Sequence, residues 1–246
     1  ARRTEGEGFA LETMSPRIHK KIVNLSKRNE TLCNKISRYL NKMLLAWTDY
    51  YSGSGTEYSQ RTSRLASFSG TAYIKNSFFK GISTTGEGGA ILCQSSSSVL
   101  MLIESSSFIN VQSTSWGGAI NFDGSGQYVM SKVCGYGCKV TASNGQFDFI
   151  RVTDSISSKN EIHDSVICCT YTSTQLHETI HHYGKIVFKQ TNFSSNSCLR
   201  YGSIHSNPSP NGNSVASSVS YSTVANNTVS SGICVYFGST NLYEID

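Results

Sequence analysis

The chain has 246 residues, enough to bury a sizeable core, and carries a net charge of +5 with only 15% charged residues. No apolar run reaches the roughly 18 residues of a membrane-spanning helix, and no signal peptide is visible. The polar share is Ser, Thr, Asn and Gly, a composition that fits an extracellular solenoid better than a typical cytosolic enzyme.

Residues 1–14 are polar and read as a loose N-terminus. Ser15-Pro16 then reads as a helix N-cap with Pro at the first helical position. Apolar residues follow at Ile18, Ile22, Leu25, Leu32, Ile36, Tyr39, Met43 and Trp47, with Asn29 filling the one gap. Steps of three and four predict an amphipathic helix within 15–51, ended by the linker of 52–64 that opens Ser52-Gly53-Ser54-Gly55. Between Arg17 and Trp47 lie eight Lys and Arg against Glu30 alone, net +7, so the rest of the chain sums to −2. Such a helix caps the open first coil of a solenoid, self-associates through its Asn29-bearing stripe, or meets an anionic surface of lipid or nucleic acid.

From residue 65 to 246 a repeat of about 29 residues takes over. Its apolar anchors are Phe79, Phe108, Tyr136, Ile167, Phe193 and Val224. Glycine turns follow most of them: Gly89-Ala90-Ile91, Gly118-Ala119-Ile120, Gly145-Gln146-Phe147, Gly202-Ser203-Ile204 and Gly232-Ile233-Cys234; the coil of Ile167 lacks one. The segments between are short and rich in β formers, such as Ala72-Tyr73-Ile74 and Lys185-Ile186-Val187-Phe188. Three short strands per unit predict an all-β solenoid, a right-handed parallel β-helix of about six coils, in which equivalent residues stack at about 4.8 Å. The anchors then form one internal ladder. Gly81, Asn110, Cys138, Cys169, Ser195 and Asn226, two residues on, form a small or polar ladder at a bend. An antiparallel sandwich also needs many short strands but does not require the common period.

Ser106-Ser107-Phe108-Ile109-Asn110 followed by Gly117-Gly118-Ala119-Ile120 is similar to the repeats of chlamydial polymorphic outer-membrane proteins. It resembles still more closely the adhesin-like right-handed β-helix proteins of trichomonad protists. The likeness spans about residues 65–246, and Gly88 to Ile91 is its second well-kept copy. It implies a surface or secreted adhesin-like solenoid and carries no catalytic residue over.

Eight cysteines stand at 33, 93, 134, 138, 168, 169, 198 and 234. The even count is compatible with disulfides, with Cys134–Cys138 the one local pair to test. Cys138, Cys169 and Cys198 recur near the repeat period and are expected to stack as small buried residues. Sequons at Asn24, Asn29, Asn192 and Asn226 permit glycosylation. A start at Ala1 and an end at Asp246 without a polar cap suggest a piece of a longer repeat protein.

Two constellations invite chemistry. His177-Glu178-Thr179-Ile180-His181 matches the H-E-x-x-H zinc pattern, which needs a helix to bring both imidazoles to one ion. In a strand, residues four apart are separated by about 13 Å and Glu178 points to the opposite face, so we expect an exposed polar strand. Asp148, Arg151, Asp154 and Asp164 are the acids and base that a polysaccharide-processing β-helix enzyme would use, an argument from fold alone. The reading is therefore a non-enzymatic protein without catalytic, cofactor or metal residues. It presents its faces to a receptor protein or a glycan at the cell surface or after secretion. The alternatives are a cytoplasmic scaffold docked by its basic helix and, behind it, the polysaccharide enzyme.

Overall fold

The computed structural model describes residues 47–66, 70–152, 159–170, 178–200, 204–207, 217–231, 235–237 and 243–245. Every strand pair among them is parallel, which excludes the sandwich. The chain winds into a β-solenoid of about five turns, one fewer than expected. Pairing begins at Thr56–Ser59 against Thr71–Lys75, inside the stretch read as a linker. Residues 15–46 of the expected amphipathic helix lie outside the described residues, as do the partner surfaces assigned to them. Trp47–Asp49 forms a single 3-10 turn.

One turn is seen best from Thr71. The strand Thr71–Lys75 lies on the first face and Phe78–Lys80 on the second. Ser83–Thr84 lies on the third, and Ile91–Glu104 runs along the fourth and bends back onto the first. The first and fourth faces belong to one 13-stranded sheet, and the second is a sheet of six strands.

The repeat works through its Ser-x-Phe-x-Asn segment. The Phe fills the interior: Phe79 and Phe108 are fully buried and their rings stack at 5.0 Å. The Ser ties the preceding corner. The Ser106 hydroxyl donates to the Glu104 carbonyl and accepts the Ser77 amide of the previous coil, and Ser165 and Ser222 repeat both bonds. The Asn turns the next corner. Gly81, Asn110, Gly137, Cys169, Ser195 and Asn226 all have positive φ and form a ladder at a bend, the predicted one but for Gly137 in place of Cys138. A second left-handed ladder runs through Gln60, Asn76, Ser105, Lys132, Asp164, Gln190 and Tyr221. From Gln60 to Gln190 each of these amides donates to a carbonyl of the next coil, so the winding itself holds the strained backbone.

The third coil departs from the expected register by one residue. The internal ladder is Phe79, Phe108, Gly135, Ile167, Phe193 and Val224. Tyr136 pairs with Ile109 and Cys168 and faces away from it. Likewise Gly137, not Cys138, takes the left-handed corner. The physical reason is an exchange of volume. A Cβ on Gly135 would lie 2.4 Å from the Phe147 ring, which occupies the space that a Phe fills in the first two coils. Phe147 in turn follows Ala90 and Ala119 around the glycine corner, where the earlier coils carry only a methyl group.

Trp47 and Tyr51 pack on the outer side of the first face, against Tyr73, Leu102 and Val129, and are themselves buried. The Tyr51 hydroxyl donates to the Met101 carbonyl at 3.0 Å. This stretch therefore lies along the flank of the coils.

Cys134–Cys138, the one local pair to test, does not form: Cys134 is disulfide-bonded while Cys138 carries a free thiol. Cys138, Cys169 and Cys198 do not stack as expected. Cys169 takes the corner, Cys138 follows it by one position, and Cys198 lies within the strand Ser197–Arg200.

Candidate functional site

Strands Ile91–Glu104, Ile120–Ser131, Asp148–Arg151, Ile180–Tyr183 and Ile204–Asn207 stack along the fourth face. Alternation sends Ile120, Phe122, Ile150, Ile180 and Ile204 inward. It leaves Asn121, Phe149, His181 and His205 in one outward row, with Asp123, Arg151 and Tyr183 in the next.

That outward surface has two zones. The first is open and aromatic. Trp116 stacks on Phe149 at 5.0 Å. The Arg151 guanidinium, its side chain 48% exposed, lies over the Tyr183 ring at 5.2 Å and the Phe149 ring at 5.7 Å, and pairs with Asp123 at 3.3 Å. Glu87 accepts from the Asn121 and Gln94 amides beside it.

The second zone is buried and titratable. Glu178 enters it from the corner ahead of Ile180–Tyr183; its backbone carbonyl accepts the Gln146 amide at 2.7 Å. One Glu178 oxygen lies 3.3 Å from His181 Nδ1 and the other 2.9 Å from His205 Nδ1. The expectation of an exposed strand with Glu178 on the opposite face is thus overturned: Glu178 is 1% exposed and its carboxylate meets His181. The corner rotates Glu178 out of strict alternation, so spacing along a strand does not apply to it. His177 of the H-E-x-x-H string lies outside the described residues, and the second imidazole is His205, which that string does not contain. Burial pushes the Glu178 carboxyl upward, but the two imidazoles outweigh it and hold the group at about 2. Burial lowers His181 below the usual histidine range despite that carboxylate.

Among the described residues weighed for an enzyme, Asp148, Arg151 and Asp164 do not converge. Asp148 is fully buried in the interior, where one oxygen meets His182 Nε2 at 3.0 Å. Burial raises its carboxyl above the ordinary value. Arg151, three residues on, points outward, and Asp164 takes a left-handed corner between the first and second faces. Asp154 lies outside the described residues. The chain matches no protein-family profile, no curated protein and no solved structure.

Proposed function

We propose that this chain is a non-enzymatic, adhesin-like β-solenoid of the cell surface or of secretion. It binds a glycan along Trp116, Arg151 and Tyr183. The observation that carries this reading is the row on the fourth face where the half-buried rings of Trp116 and Tyr183 lie beside exposed Arg151 and its partner Asp123. Trp, Tyr and Arg dominate binding energy where they are held rigidly, and here sheet register and ring stacking hold them. Rings offer apolar faces to the C–H side of a sugar while Arg151 and Asp123 reach its hydroxyls. Cys134 in a disulfide supports an oxidising compartment. The Ser-x-Phe-x-Asn and Gly-Gly-Ala-Ile segments support kinship with the polymorphic outer-membrane and trichomonad adhesin-like repeats. Right-handed winding accords with the rule for parallel crossovers.

The test is a glycan array followed by titration calorimetry on each hit, with turnover of that hit measured in parallel. Binding without turnover is expected, with Arg151→Ala and Tyr183→Ala each weakening it about tenfold. Binding that ignores both substitutions, a ligand that proves to be protein only, or hydrolysis of the hit would overturn the reading.

A further inference from the structure

Glu178, His181 and His205 gather three donors from different places: a corner and the middles of two neighbouring strands in which His181 and His205 pair in register. Their donor atoms all lie within 4.8 Å of one another. A tetrahedral ion with bonds of about 2.1 Å sets its ligands about 3.4 Å apart; each imidazole now meets its own carboxylate oxygen, at 2.9 and 3.3 Å, so one oxygen must turn to serve both rings. The remaining adjustment is on the order of 1 Å.

We propose that these three residues hold one divalent transition-metal ion, zinc being the probe, which clamps two successive coils of the solenoid together. Two imidazole nitrogens and one carboxylate oxygen suit zinc and its neighbours, whereas calcium and magnesium require oxygen donors. Charge points the same way. The Glu178 carboxylate is 1% exposed, and its ion-pair partners among the described residues are the two histidines alone. A buried anion facing two imidazoles is short of positive charge, and a dication supplies it. The rings are already fixed: His181 stacks on Phe149 at 5.3 Å and His205 meets Tyr236 edge-on at 4.8 Å. Without an ion the Glu178 carboxylate holds the His181 proton on Nδ1; His181 Nε2 has no hydrogen-bond partner among the described residues, so no donor there opposes moving that proton to Nε2 when Nδ1 ligates. Side chains only 1–8% exposed leave little access for a substrate, which makes the ion a structural clamp. The inference stands independently of the glycan reading.

The full chain, without an affinity tag, is stripped with a chelator, dialysed against zinc and assayed for metal content and thermal unfolding. One zinc per chain is expected. The midpoint should rise by about 5–10 °C at a hundredfold excess over Kd. Glu178→Gln and His205→Ala are each expected to abolish both effects. Cobalt loading of the unmutated chain decides the matter without any variant: tetrahedral d–d bands with no thiolate charge transfer are expected. A zinc content near zero, an undiminished content in both variants, or a thiolate band placing the ion on the cysteines would overturn the proposal.

Discussion

The exchange of Phe and Gly in the third coil makes a quantitative prediction. Phe108 and Ala119 of the second coil become Gly135 and Phe147 in the third, and all four lie inside the solenoid. Phe147→Ala alone removes a fully buried ring that packs edge-on against Phe108 at 5.7 Å. It should cost about 3–5 kcal/mol. Gly135→Phe alone forces a second ring into that space, since a bare Cβ at Gly135 would already lie 2.4 Å from Phe147. Overpacking of that kind costs about 1–3 kcal/mol or more. Gly135 is absent from the positive-φ set, so the backbone accepts a side chain. The double variant restores the arrangement of the coil before it. We expect it to lie within about 2 kcal/mol of the unmutated chain, against an additive sum of at least about 4 kcal/mol. Guanidinium unfolding followed by circular dichroism reads all four corners of the cycle. A double variant as unstable as the sum of the singles would show that the two positions do not share one space, and the account of the register shift would fall with it.

Other consequences concern the corners, the acid limb and the thiols. The Asn196 side-chain oxygen accepts from the Thr170 amide and hydroxyl, while its nitrogen donates to the Ile167 carbonyl. Asn196→Ala should therefore cost about 1–3 kcal/mol in unfolding free energy, and a loss under about 0.5 kcal/mol would contradict this role. Burial opposes the charge on Glu161, yet His163, 2.8 Å away, and nearby lysines lower its carboxyl below the ordinary value. A depressed folded pKa contributes stability that is present above the unfolded value near 4.5 and lost as pH falls below it. Glu161→Gln should flatten that part of the stability–pH curve, and an unaltered slope would remove Glu161 from the account. Burial pushes Cys93 and Cys138 up to about 12, so both should resist alkylation until the chain unfolds. Non-reducing peptide mapping should find Cys134 cross-linked and Cys138 free.

The solenoid was legible in the sequence because its period is written in side chains with one dominant job each. Phe79, Phe108, Ile167 and Phe193 must fill the interior, and Gly81, Asn110 and Asn226 tolerate a left-handed corner. The third coil misled for the same reason. Tyr136 is the large residue in its segment, but the interior position beside it had been emptied and its volume moved to Phe147. Nothing local to Cys134-Gly135-Tyr136 records that transfer. The second left-handed ladder was invisible because Lys132, Gln190 and Tyr221 are not corner residues by composition; inter-coil hydrogen bonds hold the φ of Lys132 and Gln190. Glu178 and His205 lie 27 residues apart, so only the register of neighbouring strands brings them together.

Where the repeat decays is also where the polar chemistry collects, and the glycine corner explains why. A Cβ on Gly118 would lie 2.0 Å from the Gln146 carbonyl oxygen, so this corner of the second coil cannot carry a side chain. The chain rounds the same edge at Gln146 and then at Glu178, each donating or accepting one backbone bond in the stack. Losing the glycine therefore requires the edge to open, and an opened edge admits a side chain that has nowhere to go but inward or across the fourth face. Gln146 turns to the Ser197 carbonyl at 2.8 Å, and Glu178 turns to His181 and His205. Gly89 and Gly118 of the well-kept coils offer backbone only at this position, while Glu87 and Trp116 just before the glycines reach the fourth face. Loss of the glycine at this one position is thus the condition for the Glu178 cluster: Gln146 and Glu178 stand where Gly118 can carry no side chain.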